Sequence, residues 1–333
     1  MGETQPRLRI LVVFAVIAIA FGSIMIAFSR TASHGPSWGF FKFDGPTGNR
    51  EERSIERKFP FPPGGTLTLR TETGDVIVDT DTADTLSVTV DMRGTESQLS
   101  DFSFEFSSSS QGVEITGKRP HGIHFNFFNN FSVRYRIKMP RKASVDVQTS
   151  GGDILVADVD GPVKCNTSGG DIDVGRVAGT VDLGTYGGNV RLKSAGGNTS
   201  LRTSGGDIVA DTLLSSATIK TSGGNITVGC AGSKLVAHTS GGSLDIGAGL
   251  STSGIDATTS GGDIVATLPP TLNATINAES SGGDVKCDLP IMVKGKISGD
   301  EIHGELNKGG VEVRLHTSGG SVHVKSSEGA AKK

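Results

Sequence analysis

Groups that usually carry chemistry are scarce in this chain of 333 residues. It holds 3 Cys, 1 Trp and 2 Tyr, and its aromatic content is 5%. A formal net charge of −3 gives no reason to propose a nucleic-acid partner. The 7 His show no zinc-hydrolase spacing; His121 and His124 flank a Phe-rich loop but lack an obvious third ligand. No Gly-x-Ser-x-Gly elbow occurs. The run from Gly112 to Gly117-Lys118-Arg119 nearly spells a phosphate-binding loop. Arg119, however, stands where a magnesium-ligating hydroxyl is needed, and no helical pattern comes after it. The second half of the chain has no helical periodicity.

Glycine, by contrast, is abundant at 48 residues, and it is ordered. The motif Thr-Ser-Gly-Gly-Asp-Ile, or a close relative, recurs in steps of 18 residues. The Gly pairs are Gly151-Gly152, Gly169-Gly170, Gly187-Gly188, Gly205-Gly206, Gly223-Gly224 and Gly241-Gly242. The step then lengthens to Gly261 and Gly282, and the motif returns at Gly319. So strict a period denotes one structural unit stacked on copies of itself. A Gly/Ser linker would lack the aliphatic columns that accompany each repeat.

Each unit reads as two short strands and two turns. After the Gly pair, apolar residues alternate with polar ones (Ile154 and Val156, Ile172 and Val174, Ile208 and Ala210), the pattern of a half-buried strand. Half a repeat later a second alternation ends in Thr: Val163-x-Cys165-x-Thr167, Val181-x-Leu183-x-Thr185, Leu235-x-Ala237-x-Thr239. Glycine at the corners is expected to supply positive φ and close backbone approach. Equivalent strands then pair in parallel at about 4.8 Å, so roughly ten coils make a rod on the order of 45–50 Å long. The expected fold class is therefore all-β: a parallel β-solenoid of about 18 residues per coil with two short strands per coil, preceded by an N-terminal transmembrane helix. Cys165 and Cys287 fall on inward positions. Neighbouring cysteines, Cys230 included, lie about three coils apart, beyond disulfide reach, and read as small buried hydrophobes.

The expected organisation is a short cytoplasmic segment over 1–9, a membrane anchor over 10–28, a linker over 29–58, an irregular β cap over 59–140, regular coils over 141–325 and a frayed tail over 326–333. Ile10–Phe28 is an uninterrupted apolar or small run, just long enough to span a bilayer. A cleaved secretory signal is the alternative, but the run lacks a clean small-x-small cleavage site after it. Arg7 and Arg9 precede the run and favour export of the chain beyond it; Arg30 weakens that asymmetry. Cap strands are expected at Thr66–Arg70, Asp75–Asp79, Leu86–Met92, Phe102–Phe106, Val113–Thr116 and Phe131–Met139. Val311–Leu315 and Val322–Val324 should close the other end.

The run Tyr135-x-Ile137-x-Met139-Pro140, then Val145-x-Val147 and Ser150-Gly151-Gly152-Asp153-Ile154, resembles the bacterial "putative adhesin" or toastrack family, formally a domain of unknown function. The resemblance covers roughly Phe59 to Val324. It implies an envelope-facing β-solenoid behind an N-terminal membrane segment, and some relatives occur beside envelope-stress signalling components. No catalytic residues are defined for that family, so none is carried over.

Three surface features are candidate sites. The column Asp153, Asp171, Asn189, Asp207, Asn225, Asp263 and Asp284 stacks carboxylates that repel unless bridged or solvated. Calcium could bridge them, but the Gly-Gly-x-Gly-x-Asp pattern of calcium-binding rolls is missing. The plainer reading is that each side chain accepts a backbone N–H at the corner. Arg202, Lys220 and His238 form an outward stripe that could meet an acidic polymer or lipid headgroups, or simply be solvated. Trp38, Phe40, Phe41 and Phe43, with Phe125, Phe127, Phe128 and Phe131, are either cap core or a partner-binding patch.

The sequence thus points to a non-enzymatic, membrane-tethered scaffold of the cell envelope, adhesin-like or binding proteins or wall polymer, with self-association open to it and no cofactor expected. An accessory role in envelope-stress signalling shares the same fold and differs in partner. A β-helix carbohydrate-active enzyme would need acid–base groups beside a groove, usually built from long loops, and the corners here are short.

Overall fold

In the computed structural model, residues 50–118, 131–293 and 298–327 are described, and all belong to the unit Gly48–Lys333. The anchor expected over Ile10–Phe28, the aromatics Trp38, Phe40, Phe41, Phe43, Phe125, Phe127 and Phe128, and His121 and His124 lie outside the described residues. Among the described residues no helix is long and apolar enough to cross a membrane.

The 18-residue period becomes a ladder register. Ile172 pairs with Val190, Val190 with Ile208, Ile208 with Ile226 and Ile226 with Leu244, all in parallel. Every one of these side chains is buried. On the opposite sheet Val145, Val163, Val181, Thr199, Ala217, Leu235 and Ile255 form the matching column. One step of the sequence repeat is therefore one rung, and the two inward columns close a narrow apolar core between sheets of 13 and 14 strands. Each rung contributes only a few aliphatic side chains, so stability grows by adding like neighbours.

Among the described residues, eleven parallel strands in each sheet make eleven rungs; antiparallel strands flank both ends of the 14-stranded sheet and one end of the 13-stranded sheet. Chain order and spatial order agree only in the middle. The rung Thr66–Thr71 with Asp75–Asp81 is held on one side by Ser144–Thr149 and Ile154–Val156 and on the other by Gly112–Lys118 and Ser132–Pro140. At the far end Ala274–Ser280 and Val285–Cys287 form the outermost rung, and Val311–Thr317 with Val322–Ser326 slots in between it and Ile255–Thr259 with Ile264–Leu268. This corrects the expectation that the last strands close the stack. The chain lays its terminal rung early, folds the antiparallel strands Ile291–Val293 and Glu301–Leu306 beside it, and then fills the gap. Parallel pairing alone would leave bare edges; antiparallel strands cover both ends of the 14-stranded sheet and the N-terminal end of the 13-stranded sheet, whose far edge is the short strand Val285–Cys287.

Two further corrections concern the N-terminal region. The last part of the linker expected over 29–58 is instead a strand, Glu51–Pro60, antiparallel to Thr85–Gly94 at the sheet edge; residues 29–49 lie outside the described residues. Its alternation of half-buried Ile55 and Phe59 with charged neighbours suits an edge, where water meets one side. A short helix, Glu96–Asp101, occurs in the region read as β throughout. Thr95 caps it, accepting from the Gln98 N–H, while the Gln98 side chain accepts from the Thr95 N–H. Phe131 packs into the cap core against Phe102, and Phe104 approaches Tyr135 edge-on. The Tyr135 hydroxyl meets Thr71 Oγ1 at 2.8 Å, and burial pushes its pKa up.

Candidate interaction surface

The Thr-Ser-Gly-Gly corner is a hydrogen-bonding device. Thr203 Oγ1 donates to the Gly188 carbonyl of the rung before at 2.8 Å and accepts from its own Gly206 N–H at 3.3 Å. Thr167, Thr185, Thr221, Thr239, Thr259 and Thr317 repeat the donation, and Ser280 makes it to Gly320. Each hydroxyl is thus buried as both donor and acceptor, which is how a polar group tolerates a thin core.

The two glycines of the corner differ in need. A Cβ on the second glycine (Gly170, Gly188, Gly206, Gly224, Gly242) would overlap the carbonyl of the equivalent glycine one rung away. In the regular coils the first glycine is open: a Cβ on Gly151 or Gly169 meets nothing within 4 Å, and on Gly223 nothing closer than Gly205 O at 3.5 Å. Positive φ, expected at every corner, occurs within these pairs only at Gly152. Elsewhere in them the requirement is proximity between rungs, not backbone handedness.

The acidic column forms a second ladder, running the length of the stack. The Asp171 N–H donates to Asp153 Oδ1 at 2.9 Å, Asn189 to Asp171 at 2.7 Å, Asp207 to Asn189 at 2.9 Å and Asn225 to Asp207 at 2.7 Å. The donor is thus the next rung's column residue, more specific than the corner N–H expected. From Asp171 to Asn225 acids alternate with amides, and Asn189 Nδ2 also donates to Asp171; Asp75, Asp153 and Asp171 are three acids on successive rungs, and Arg134 and Arg191 reach the first and last of them. Ser243 and Asp263 continue the series, Ser321 accepts from Asp284, and Asp75 begins it. Ser321 and Asp75 are the members that sequence reading left out, although Thr73-Gly74-Asp75 is a degenerate motif. The Asn189 N–H, followed by its side-chain amide and then Arg191, holds the Asp171 carboxyl below the usual carboxylate range. Among the described residues no group of three or more His, Cys, Asp or Glu is arranged to hold a metal.

The outward stripe is contiguous: Arg202 pairs with Lys220 and Lys220 with His238, all exposed. Arg202 also reaches Asp182 at 3.2 Å, so part of its charge is spent within the chain. Cys165 is buried, and burial pushes its thiol pKa up. Cys230 and Cys287 are half-buried, so the reading of all three cysteines as core hydrophobes holds only for Cys165. All three are free.

The stacked rungs and their Gly-Gly corners lie within residues 65–325, which the model of a known family, Toastrack DUF4097, matches. The chain belongs to the Toastrack DUF4097 family. Solved structures similar to this Toastrack chain include a "putative adhesin" from Bacteroides fragilis, 12% identical, with a TM-score of 0.41 and coverage of 82% of this chain and 97% of that one. A "putative cell adhesion protein" from Clostridium sporogenes is 11% identical, with a TM-score of 0.28 and coverage of 84% and 100%. A "putative lipid binding protein" from Parabacteroides distasonis is 15% identical, with a TM-score of 0.36 and coverage of 84% and 97%. Among curated proteins none matches this Toastrack chain.

Proposed function

We propose that this Toastrack protein is a non-enzymatic, membrane-anchored scaffold exported to the cell envelope, adhesin-like in that its long sheet faces hold a protein or a surface polymer. The observation that carries the reading is the use to which the polar columns are put. The Thr hydroxyls and the Asp/Asn side chains are engaged in rung-to-rung hydrogen bonds along the whole stack. Their chemistry is spent on holding two flat faces in register, and such faces suit extended binding. The apolar run Ile10–Phe28 and the basic residues before it supply the tether and the direction of export. The adhesin names borne by similar structures agree with this reading and add no weight of their own.

The test is protease treatment of intact cells, with and without removal of any outer layer, and then crosslinking. The β unit should become protease-accessible and crosslink to a surface protein or polymer. Protection after the outer layer is removed would overturn the exported topology. Crosslinking to a membrane sensor instead would favour an accessory role in envelope-stress signalling.

A further inference from the structure

Leu155 stands on the outer face of the 13-stranded sheet with 45% of its surface exposed. Ile77, half-buried, lies beside it in direct register. The strands on either side carry opposite charges. Ser132–Pro140, next to Ile77, turns Arg134, Arg136 and Lys138 outward, whereas Asp171 and Asp173 lie next to Leu155. Along the stack one outward column runs Thr89, Arg136, Ile77, Leu155, Asp173, Arg191.

We propose that this face pairs with the same face of a second copy, the two stacks antiparallel. The two-fold axis lies in the interface, parallel to the strands, between Ile77 and Leu155. That operation sets Ile77 on the partner's Leu155 and Arg136, which Asp91 also engages within the chain, opposite the partner's Asp173. In the flanking columns Arg134 meets the partner's Asp171, and Lys58 on the edge strand meets the partner's Asp211. Every such match occurs twice by symmetry. Asp75 faces the partner's Asp153, a like-charged match, but Arg134 reaches Asp75 at 3.4 Å and offsets it. A two-fold axis along the stack would instead lay each rung on itself, setting Arg136 against its own copy and Arg134 against the partner's Lys138. Charge therefore selects the antiparallel arrangement.

The overlap of about eight strands covers on the order of 500 Å² per copy. Stable complexes bury about 800 Å² per partner, so this pairing is weak and depends on high local concentration. It is independent of the envelope reading, since purified protein reports it.

Sedimentation equilibrium of the full chain from about 1 μM to about 1 mM should show a monomer–dimer equilibrium. Leu155→Asp should abolish it, with Leu155→Ser as the milder variant should the first fail to fold. Asp173→Arg should weaken it more than about tenfold, and the double variant Arg136→Asp/Asp173→Arg should restore it, because the opposed pair is exchanged rather than removed. Thermal melts establish that each variant is folded. Absence of a dimer over this range, a dimer indifferent to Leu155 and Asp173, or a folded double variant that stays monomeric would each overturn the proposal.

Discussion

The middle of the stack and its two ends solve the same problem in different ways. From Val163 to Leu244 each rung is a near copy of the last. The same position holds the aliphatic tooth, the Thr bridge and the close-approach glycine, and chain order equals spatial order. At the ends there is no further copy to lean on. There the chain doubles back, antiparallel strands appear, and aromatic rings replace thin aliphatic layers at the N-terminal end. The comparison teaches that a repeat specifies its neighbour but not its own termination. Closing an edge requires residues that the repeat does not contain.

The largest break in the regular region should come from Gly224→Ala, whose methyl would strike the Gly206 carbonyl across the rung. A loss of more than about 4 kcal/mol, or failure to fold, is expected in denaturant unfolding. Its neighbour Gly223→Ala, with 3.5 Å to the nearest backbone oxygen, should change stability by less than about 1 kcal/mol. Equal effects at the two positions would refute the assignment of roles within the pair.

A middle-sized effect is expected from Thr221→Val. It keeps the shape but strands the Gly206 carbonyl and the Gly224 N–H, at a cost of about 2–3 kcal/mol by the same measurement. The capping-box variant Thr95→Ala, at an exposed helix beside the N-terminal end, should cost only about 1 kcal/mol. If the two losses were reversed, the middle would not be the more tightly specified region.

The smallest effect concerns pH. Because the folded-state carboxyl of Asp171 is held below its ordinary value, protonation favours unfolding. Its stabilising contribution is present above about pH 4 and is lost as pH falls through the lowered folded value. Melting temperature measured against pH should therefore decline on the acid side, and Asp171→Asn should make that decline slightly shallower. An unchanged acid limb would show that the ladder does not depend on this charge.

Much of the middle was legible because its signals are local and periodic. The alternation at Ile172-x-Val174 and Val181-x-Leu183 fixes strand and face, and the 18-residue step fixes register. The Asp column could be read as a set of N–H acceptors, since stacked carboxylates demand some such partner. The double duty of Thr203 was not legible. Its polar role appears only when Gly188 of the rung before stands 2.8 Å away. Nor was the strand Glu51–Pro60, whose charges read as linker until Thr85–Gly94 pairs with it.

The amino-acid order by itself determined the rung: its length, its two faces, its glycine corner and the parallel stacking of its copies. All of these come from nearest-neighbour geometry, which a period of 18 states outright. Only the tertiary structure decided the sequence of rungs in space, with Val311–Thr317 inserted inside Ala274–Ser280 and Thr66–Thr71 inside Gly112–Lys118. Any rung can pair with any other through the same backbone ladder. The choice is therefore settled by contacts between rungs and flanking strands far apart in the chain, a property of the whole stack that no single repeat encodes.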